Sequence, residues 1–585
     1  MKGHMSSLVM PNQCSFVKGR LSADIIIIAQ EMIHSMRSKK GKKGWMIPLW
    51  ARVLKSKCKM EDKIILKLLP SLLLPSPFCV YLQLPLMDTF SCILFFLFTY
   101  IFVQVLHSLF SNKSNHKLPP GPVGVPIFGN LLQLGKKPHQ TLTCLANIHG
   151  PIMSLKLGQV TTIVMSSSDM AKQVLQTHDQ FLANRKVPDA MRGANHDKYS
   201  LPFLPISHQW RVLRKSCNGL LFSNKNLDAT EELRREKIQE LFNDIHQHSL
   251  VGEAVDIGRL AFKTTINLLS NTIYSMDFVH SASKAGEFKE LVGNILKEIG
   301  RPNLADCFPV LKMVDPHGIR RRTSNCFVKL LTIFKHLINH RLKIRKDTGY
   351  CTKNDMLDAM LDNAEENSRD MYTTKMERLS LDLFVAGTDT ITSTVEWAMA
   401  ELLRNPNIMS KAKEELEQTI GKGNLVGESD ITRLPYLQAI VKETFRLHPA
   451  VPLLLPRKAE IDVEMHNYTV PKGAQVLVNV WAIGRDPNLW ENPNLFSPER
   501  FLGSEIDFKG RSFELTPFGA GRRICPGLPL AMRMLFLILG LLINSFDWKL
   551  EGGIKPQDMD MDEKFGLTLE KAQPVLAIPI KVTSY

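Results

Sequence analysis

At 585 residues the chain can hold one large domain or several, and 44% apolar with 22% charged residues is ordinary globular composition, which excludes a fibrous or low-complexity protein. Ten cysteines with no C-x-x-C pair exclude a disulfide scaffold or a zinc module and point to a reducing compartment. The net charge of +16 is uneven: residues 1–86 carry 14 Lys+Arg against 4 Asp+Glu, leaving 59 against 53 elsewhere, a net of +6. The body is mildly basic and lacks the aromatic–basic interleaving of single-strand binders, so no nucleic acid is expected; an acidic protein or a membrane surface suits it better.

Residues 1–86 form an atypical N-terminal extension. Residues 11–46 resemble a piece of a plant retrotransposon reverse transcriptase, yet Asp24 and Glu31 are the only carboxylates in that piece, too few for a metal-dependent polymerase. The expectation is a gene-model fusion, with the working protein starting near Met87. Residues 87–111 read as a transmembrane signal anchor, because 89–110 contain no charged residue and suffice to span a bilayer. Lys113 and Lys117 follow it and keep the C-terminal body cytosolic by the positive-inside rule. Residues 112–122 are a basic, proline-rich hinge; Pro119, Pro120 and Pro122 make it stiff.

The remainder, 123–585, reads as one catalytic domain. Residues 151–170 alternate, are β-branched and turn at Gly158, which predicts a hairpin. Residues 194–207 are irregular. Trp210 and Arg214, four apart, share a helix face. Residues 225–300 are helical. A long helix is predicted over 374–403, and Gly387 inside it costs about 1 kcal/mol relative to Ala. The offsetting gain is room for a groove beside Ala386, with the Thr390 hydroxyl and the Asp389 acid next to it. Glu443 and Arg446 meet at i,i+3 on a helix. Residues 451–457 read as an apolar strand ending at Arg457, and 565–570 as a turn with Leu567 and Thr568 at its tip. Residues 518–527 place Cys525 in a glycine turn ahead of an apolar helix predicted over 528–546. The helix dipole and nearby N–H groups should lower that thiol's pKa, Gly519, Gly521 and Gly527 should let the backbone approach a flat cofactor, and Arg523 could pair with a cofactor carboxylate.

Phe518, Gly521, Arg523, Cys525 and Gly527 match every fixed position of F-x-x-G-x-R-x-C-x-G, the haem-binding signature of cytochrome P-450, and the chain resembles that family over 87–585. The hinge, Trp210 with Arg214, the 386–390 stretch, Glu443 with Arg446, and the Pro498–Phe501 run with Arg500 fit its other motifs. Residues 301–306 and 314–320 resemble plant terpenoid hydroxylases of the geraniol 8-hydroxylase family. The resemblance implies a mainly α fold with small β sheets, the cytochrome P-450 fold, preceded by one transmembrane helix in the endoplasmic reticulum membrane. It implies a haem b monooxygenase fed with electrons from NADPH by a cytochrome P-450 reductase. Cys525 would be the axial iron ligand, pushing electron density towards O–O cleavage. Phe518 would shield the sulfur, and Trp210, Arg214, Arg457 and Arg523 would reach the haem propionates. Thr390 and Asp389 would deliver protons. Glu443, Arg446 and Arg500 would form a buried triad locking the cysteine loop. Residues 194–207 would cover the distal pocket and 225–300 would form the access lid. Phe384, Ala386, Leu453, Leu454, Leu567 and Thr568 would line the substrate pocket. Geraniol-type monoterpenols are the first substrate expectation; phenolic diterpenes or small aromatic xenobiotics are the second.

Overall fold

The computed structural model describes residues 99, 117–279, 282–346, 355–362 and 369–582. The extension 1–86, the anchor apart from Thr99, and the hinge before Lys117 lie outside the described residues. No helix among the described residues is long and apolar enough to cross a membrane. The chain divides into two compact units after Val103, and the catalytic body is the second, Gln104–Tyr585.

Helix α1 (Pro138–His149), opened by a proline that needs no N–H partner there, leads into the predicted hairpin, β1 (Ile152–Leu157) and β2 (Val160–Met165). Both strands join a five-stranded sheet with β3 (Asn184–Arg185), β4 (Arg457–Lys458) and β5 (Gln475–Val478), in which β2 and β5 run parallel. Residues 451–455, predicted as a strand, turn instead. Leu454 sits at φ 48°, a left-handed conformation that a strand cannot contain, and the ladder begins only at Arg457.

The helical body contains α2 (His208–Ser216), α3 (Glu231–Val251), α4 (Ile257–Tyr274), α5 (Ala282–Gly300), α6 (Ile319–Ile344), α7 (Arg369–Arg404), α8 (Pro435–Leu447) and α9 (Leu528–Asn544). Helix α7 is the long helix expected over 374–403. It carries a run of threonines because their hydroxyls bond back up the helix: Thr388 to Phe384 O at 2.7 Å, Thr392 to Thr388 O and Thr394 to Thr390 O at 2.8 Å. Gly387 serves helix packing. A Cβ there would meet Leu269 Cδ1 of α4 at 3.0 Å. The lid expectation for 225–300 also narrows. Helix α4 is buried along most of its length and packs on α7, while Ile299 and Gly300 at the end of α5 border a cavity.

Two short β strands, Glu563–Lys564 (β6) and Glu570–Lys571 (β7), flank the turn expected over 565–570. The turn is held through one peptide: Leu569 O accepts from Ser393 Oγ (2.8 Å) and Trp397 Nε1 (3.1 Å), and Leu569 N donates to Ala450 O (2.8 Å). Long-range bonds thus fix the turn against α7 and against the start of the 451–454 segment.

Candidate active site

The cysteine loop is closed by Cys525 N donating to Phe518 O at 3.0 Å. Gly519 and Gly521 adopt φ values of 67° and 68°, which side-chain-bearing residues rarely take. At Gly521 the protein itself comes close: a Cβ would lie 2.1 Å from Leu175 O. Phe518 stands edge-on to Phe445, with centroids 5.3 Å apart, and a Cβ on Gly527 would sit 3.8 Å from Cys525 Sγ. The expectation of a lowered thiol pKa is overturned. Burial raises it, and the N–H groups of Gly527 and Leu528 with the Arg214 charge offset only part of that.

Beside the loop lies a cluster of guanidiniums. Arg457 and Arg523 are buried and Arg185 half-buried; burial lowers the pKa of all three, Arg457 and Arg523 lower Arg185 further, and burial, then Arg457 and Arg214, bring Arg523 down to about 10. Arg457, expected at a propionate, pairs with Asp179 at 3.0 Å, and Asp179 also accepts from Arg522 N at 2.9 Å. Arg523 donates to the carbonyls of Ala183 (2.9 Å), Leu201 (3.3 Å) and Leu204, and its guanidinium lies 4.6 Å from the centre of the Trp210 ring. Trp210 therefore supports Arg523 in this arrangement. Arg214, in the adjacent turn of α2, contributes positive charge to Cys525. Asp179 offsets one of the four cations Arg185, Arg214, Arg457 and Arg523, a surplus that two further carboxylates would largely neutralise.

On α7, Ala386 is exposed and Thr390 half-buried, while Thr388 and Asp389 are buried. Thr390 Oγ1 donates to Ala386 O at 2.8 Å, which leaves its oxygen free to accept. Asp389 is pushed up to about 6, first by burial and then by Glu570, against a hydrogen bond with Thr568. Its Oδ2 has no partner among the described residues. Thr568 therefore touches the acid directly, a role with no signal in the sequence. Phe384, expected on the pocket wall, is fully buried in an aromatic cluster, its ring 5.0 Å from Phe278 and 5.1 Å from Phe334. It lies two residues from Ala386, hence on another face of the helix.

Behind the loop, Glu443 and Arg446 are joined by two bonds of 2.7 Å, and Arg500 Nε meets Glu443 at 3.1 Å. Arg446 also donates to Pro493 O and Leu495 O, and Ser497 N donates to Glu443. Every strong donor and acceptor of the Glu443–Arg446 pair is thereby engaged.

A cavity of about 200 Å³ runs between the sheet, the end of α5 and the 565–567 turn. Leu453, Leu454 and Leu567 line it, with Ile299, Gly300 and Phe203, whereas Phe384, Ala386 and Thr568 do not.

A family model described as Cytochrome P-450 matches residues 119–576. The chain belongs to the cytochrome P-450 family. It is 54% identical over 484 residues to the geraniol 8-hydroxylase of Catharanthus roseus, covering 82% of this chain and 98% of that protein. It is 50% identical over 481 residues to a geranylhydroquinone 3''-hydroxylase of Arnebia euchroma, covering 82% and 97%. It is 51% identical over 464 residues to the 7-ethoxycoumarin O-deethylase of Helianthus tuberosus, covering 79% and 94%. The protein is thus a cytochrome P-450 monooxygenase, and its family implies a haem. The residues present fit that group: a single thiol enclosed beside helix-terminal N–H groups, and an arginine cluster with excess positive charge for two propionates.

Proposed function

We propose that this P-450 is a membrane-anchored monooxygenase that hydroxylates a slender lipophilic terpenoid, a geraniol-type monoterpenol before others. The observation that carries this reading is the shape and polarity of the cavity. At about 200 Å³ it falls below the ~300–1,000 Å³ usual for ligand pockets, which suits an acyclic chain better than a fused-ring diterpene. Lys186, Arg301, Asn303 and Asp306 make part of its wall polar, while Leu453, Leu454 and Leu567 make another part apolar. The apolar part borders the cysteine loop, since a Cβ on Gly519 would lie 3.8 Å from Leu454 Cδ1. A terpenol lying with its hydroxyl among the polar groups would direct its hydrocarbon end towards that loop.

Haem, when bound, supplies the activation of dioxygen. Cys525 would hold its iron, and Arg185, Arg214, Arg457 and Arg523 its carboxylates. Thr390 would accept a hydrogen bond from water beside the reacting oxygen. Asp389, raised to about 6, is poised to pass protons near neutral pH. Glu443, Arg446 and Arg500 keep the loop rigid. Electrons would come from NADPH through an acidic flavoprotein reductase; the recess lined by Trp210, Arg211, Arg214 and Lys215 supports docking there. Exposed Val123, and exposed Val310, Met313 and Val314 a few residues beyond the buried Leu304, Cys307 and Phe308, support a face turned to the endoplasmic reticulum membrane.

The test is NADPH-dependent turnover of geraniol by microsomes holding the protein begun at Met87 and a plant reductase, with the reduced carbon-monoxide spectrum taken on the same sample. A hydroxylated geraniol is expected. A sound spectrum with no product would overturn the monoterpenol reading and favour phenolic diterpenes or xenobiotics.

A further inference from the structure

The 565–567 turn lines the cavity, yet its own ladder is only two residue pairs long, Glu563 with Lys571 and Lys564 with Glu570. A hairpin this short does not hold its turn unaided. The Leu569 peptide secures one end. The other end is secured by the buried side chain of Glu563, which reaches helix α1. Its Oε2 accepts from His139 Nε2 and from Gln140 Nε2, both at 2.8 Å, and its Oε1 accepts from Trp481 Nε1 at 3.1 Å. Burial would raise the pKa of this acid, but the bond from His139, the Arg485 charge and the bond from Trp481 hold it at about 2. An ionised carboxylate only accepts, so His139 Nε2 is the donor in that pair.

The consequence falls on Phe565, two residues beyond Glu563. His139 is fully buried, and its ring is stacked on that of Phe565, with centroids 5.3 Å and planes 12° apart. Trp481 stands edge-on to the imidazole at 5.2 Å, and the Arg485 guanidinium lies 3.8 Å from the centre of the Trp481 ring. Asn479 Nδ2 donates to His139 O at 3.1 Å, so the main chain of the histidine is held as well. The imidazole cannot turn without losing the Glu563 bond and both ring contacts. Phe565 is half-buried and lines the cavity, whereas His139 does not.

We propose that His139 is a positioning residue for the oxidation: held by Glu563, its ring backs Phe565 and fixes the cavity wall at the 565–567 turn. A wall set in advance spares the ligand the cost of ordering it; an unbacked ring must be ordered at binding. The role rests on the proposed function only in taking this cavity as the ligand's path to the cysteine loop, and it does not depend on the ligand being a terpenol.

The probe is a series of 1-alkylimidazoles of increasing chain length, titrated into microsomal holoenzyme by the Soret shift. The imidazole binds iron whatever the natural substrate is, so short members report the iron alone and long members report the turn. Affinity should rise with chain length. His139→Gln keeps a donor for Glu563 and removes the ring; it should weaken the long members by ~2–12-fold, the scale of one aromatic pair, and leave the short ones unchanged. Phe565→Leu keeps an apolar wall that cannot stack and should show the same loss, which gives a reading even if His139→Gln folds poorly. The double variant should lose no more than either single one, and His139→Phe, which restores a ring, should recover most of the long-chain affinity. A role in general stability alone would weaken short and long members together, and its effect would add to that of Phe565→Leu. That pattern, unchanged long-chain affinity in Phe565→Leu, or a wild-type affinity indifferent to chain length would overturn the proposal. If geraniol gives no product while the long members respond as expected, the terpenol reading falls and the positioning role stands.

Discussion

Gly300 is the last residue of α5, and a Cβ there would lie 2.1 Å from Leu567 N and 2.4 Å from Gly566 C. Gly300→Ala must open that contact to ordinary van der Waals distance, 3.4 Å or more, a displacement of about 1.3 Å. The turn cannot easily retreat, because Ser393, Trp397 and Ala450 hold both polar groups of the Leu569 peptide. The end of α5 must therefore lift, and with it the roof of the cavity over Leu567. Overpacking of this kind costs about 1–3 kcal/mol, a factor of roughly 5–150 in a local opening equilibrium. Hydrogen exchange of the holoenzyme reads it directly. Amides at 299–303 and 565–568 should exchange faster by that factor, while those of α9 stay unchanged. A bulky azole should gain affinity relative to a small one in the same variant. Wild-type exchange at both segments in Gly300→Ala would refute the reasoning, because it would mean that the gap was never closed.

Arg446→Ala strands the fully buried Glu443 with only Arg500 and one main-chain N–H; breaking such a pair costs about 3–5 kcal/mol, and the expected product is haem-poor protein without a reduced carbon-monoxide band. Trp397→Phe retains the ring stacked 4.0 Å from His448 but deletes the donor to Leu569 O. It should keep that band and lose about 1 kcal/mol of local stability at the turn, read as faster exchange at 567–569. Asp389 has a folded pKa of about 6 against 3.8 for the free side chain. A raised acid stabilises the fold below its unfolded pKa, and that contribution disappears as pH rises through 6. Asp389→Asn should therefore raise the thermal midpoint at pH 8 more than at pH 5, by an equivalent of at most about 3 kcal/mol, and slow NADPH-coupled product formation.

What the sequence made legible is what local spacing encodes. The thiol loop, the i,i+3 pair at Glu443 and Arg446, the hairpin at 151–170 and the threonine helix each declare themselves in a short stretch, and the structure forms the hairpin, the helix and the pair much as read. The misreadings concern what a residue meets across the fold. Gly387 and Gly521 read as room for a cofactor, and Leu269 comes close to one and Leu175 O to the other, because a glycine signals a close approach without naming the approaching atom. Phe384 was expected among the apolar pocket residues, but two helical positions turn it away from Ala386 and into the aromatic cluster. The thiol pKa went the other way because the dipole argument is local whereas desolvation depends on everything packed around the loop. The orphaned amide of Asn303 was illegible for a further reason. An asparagine before a helix reads as a cap, and here the cap occupies its oxygen alone. Only the packed structure shows that the nitrogen is left buried with no partner among the described residues, so the residue that announces a helix start also keeps an unspent donor.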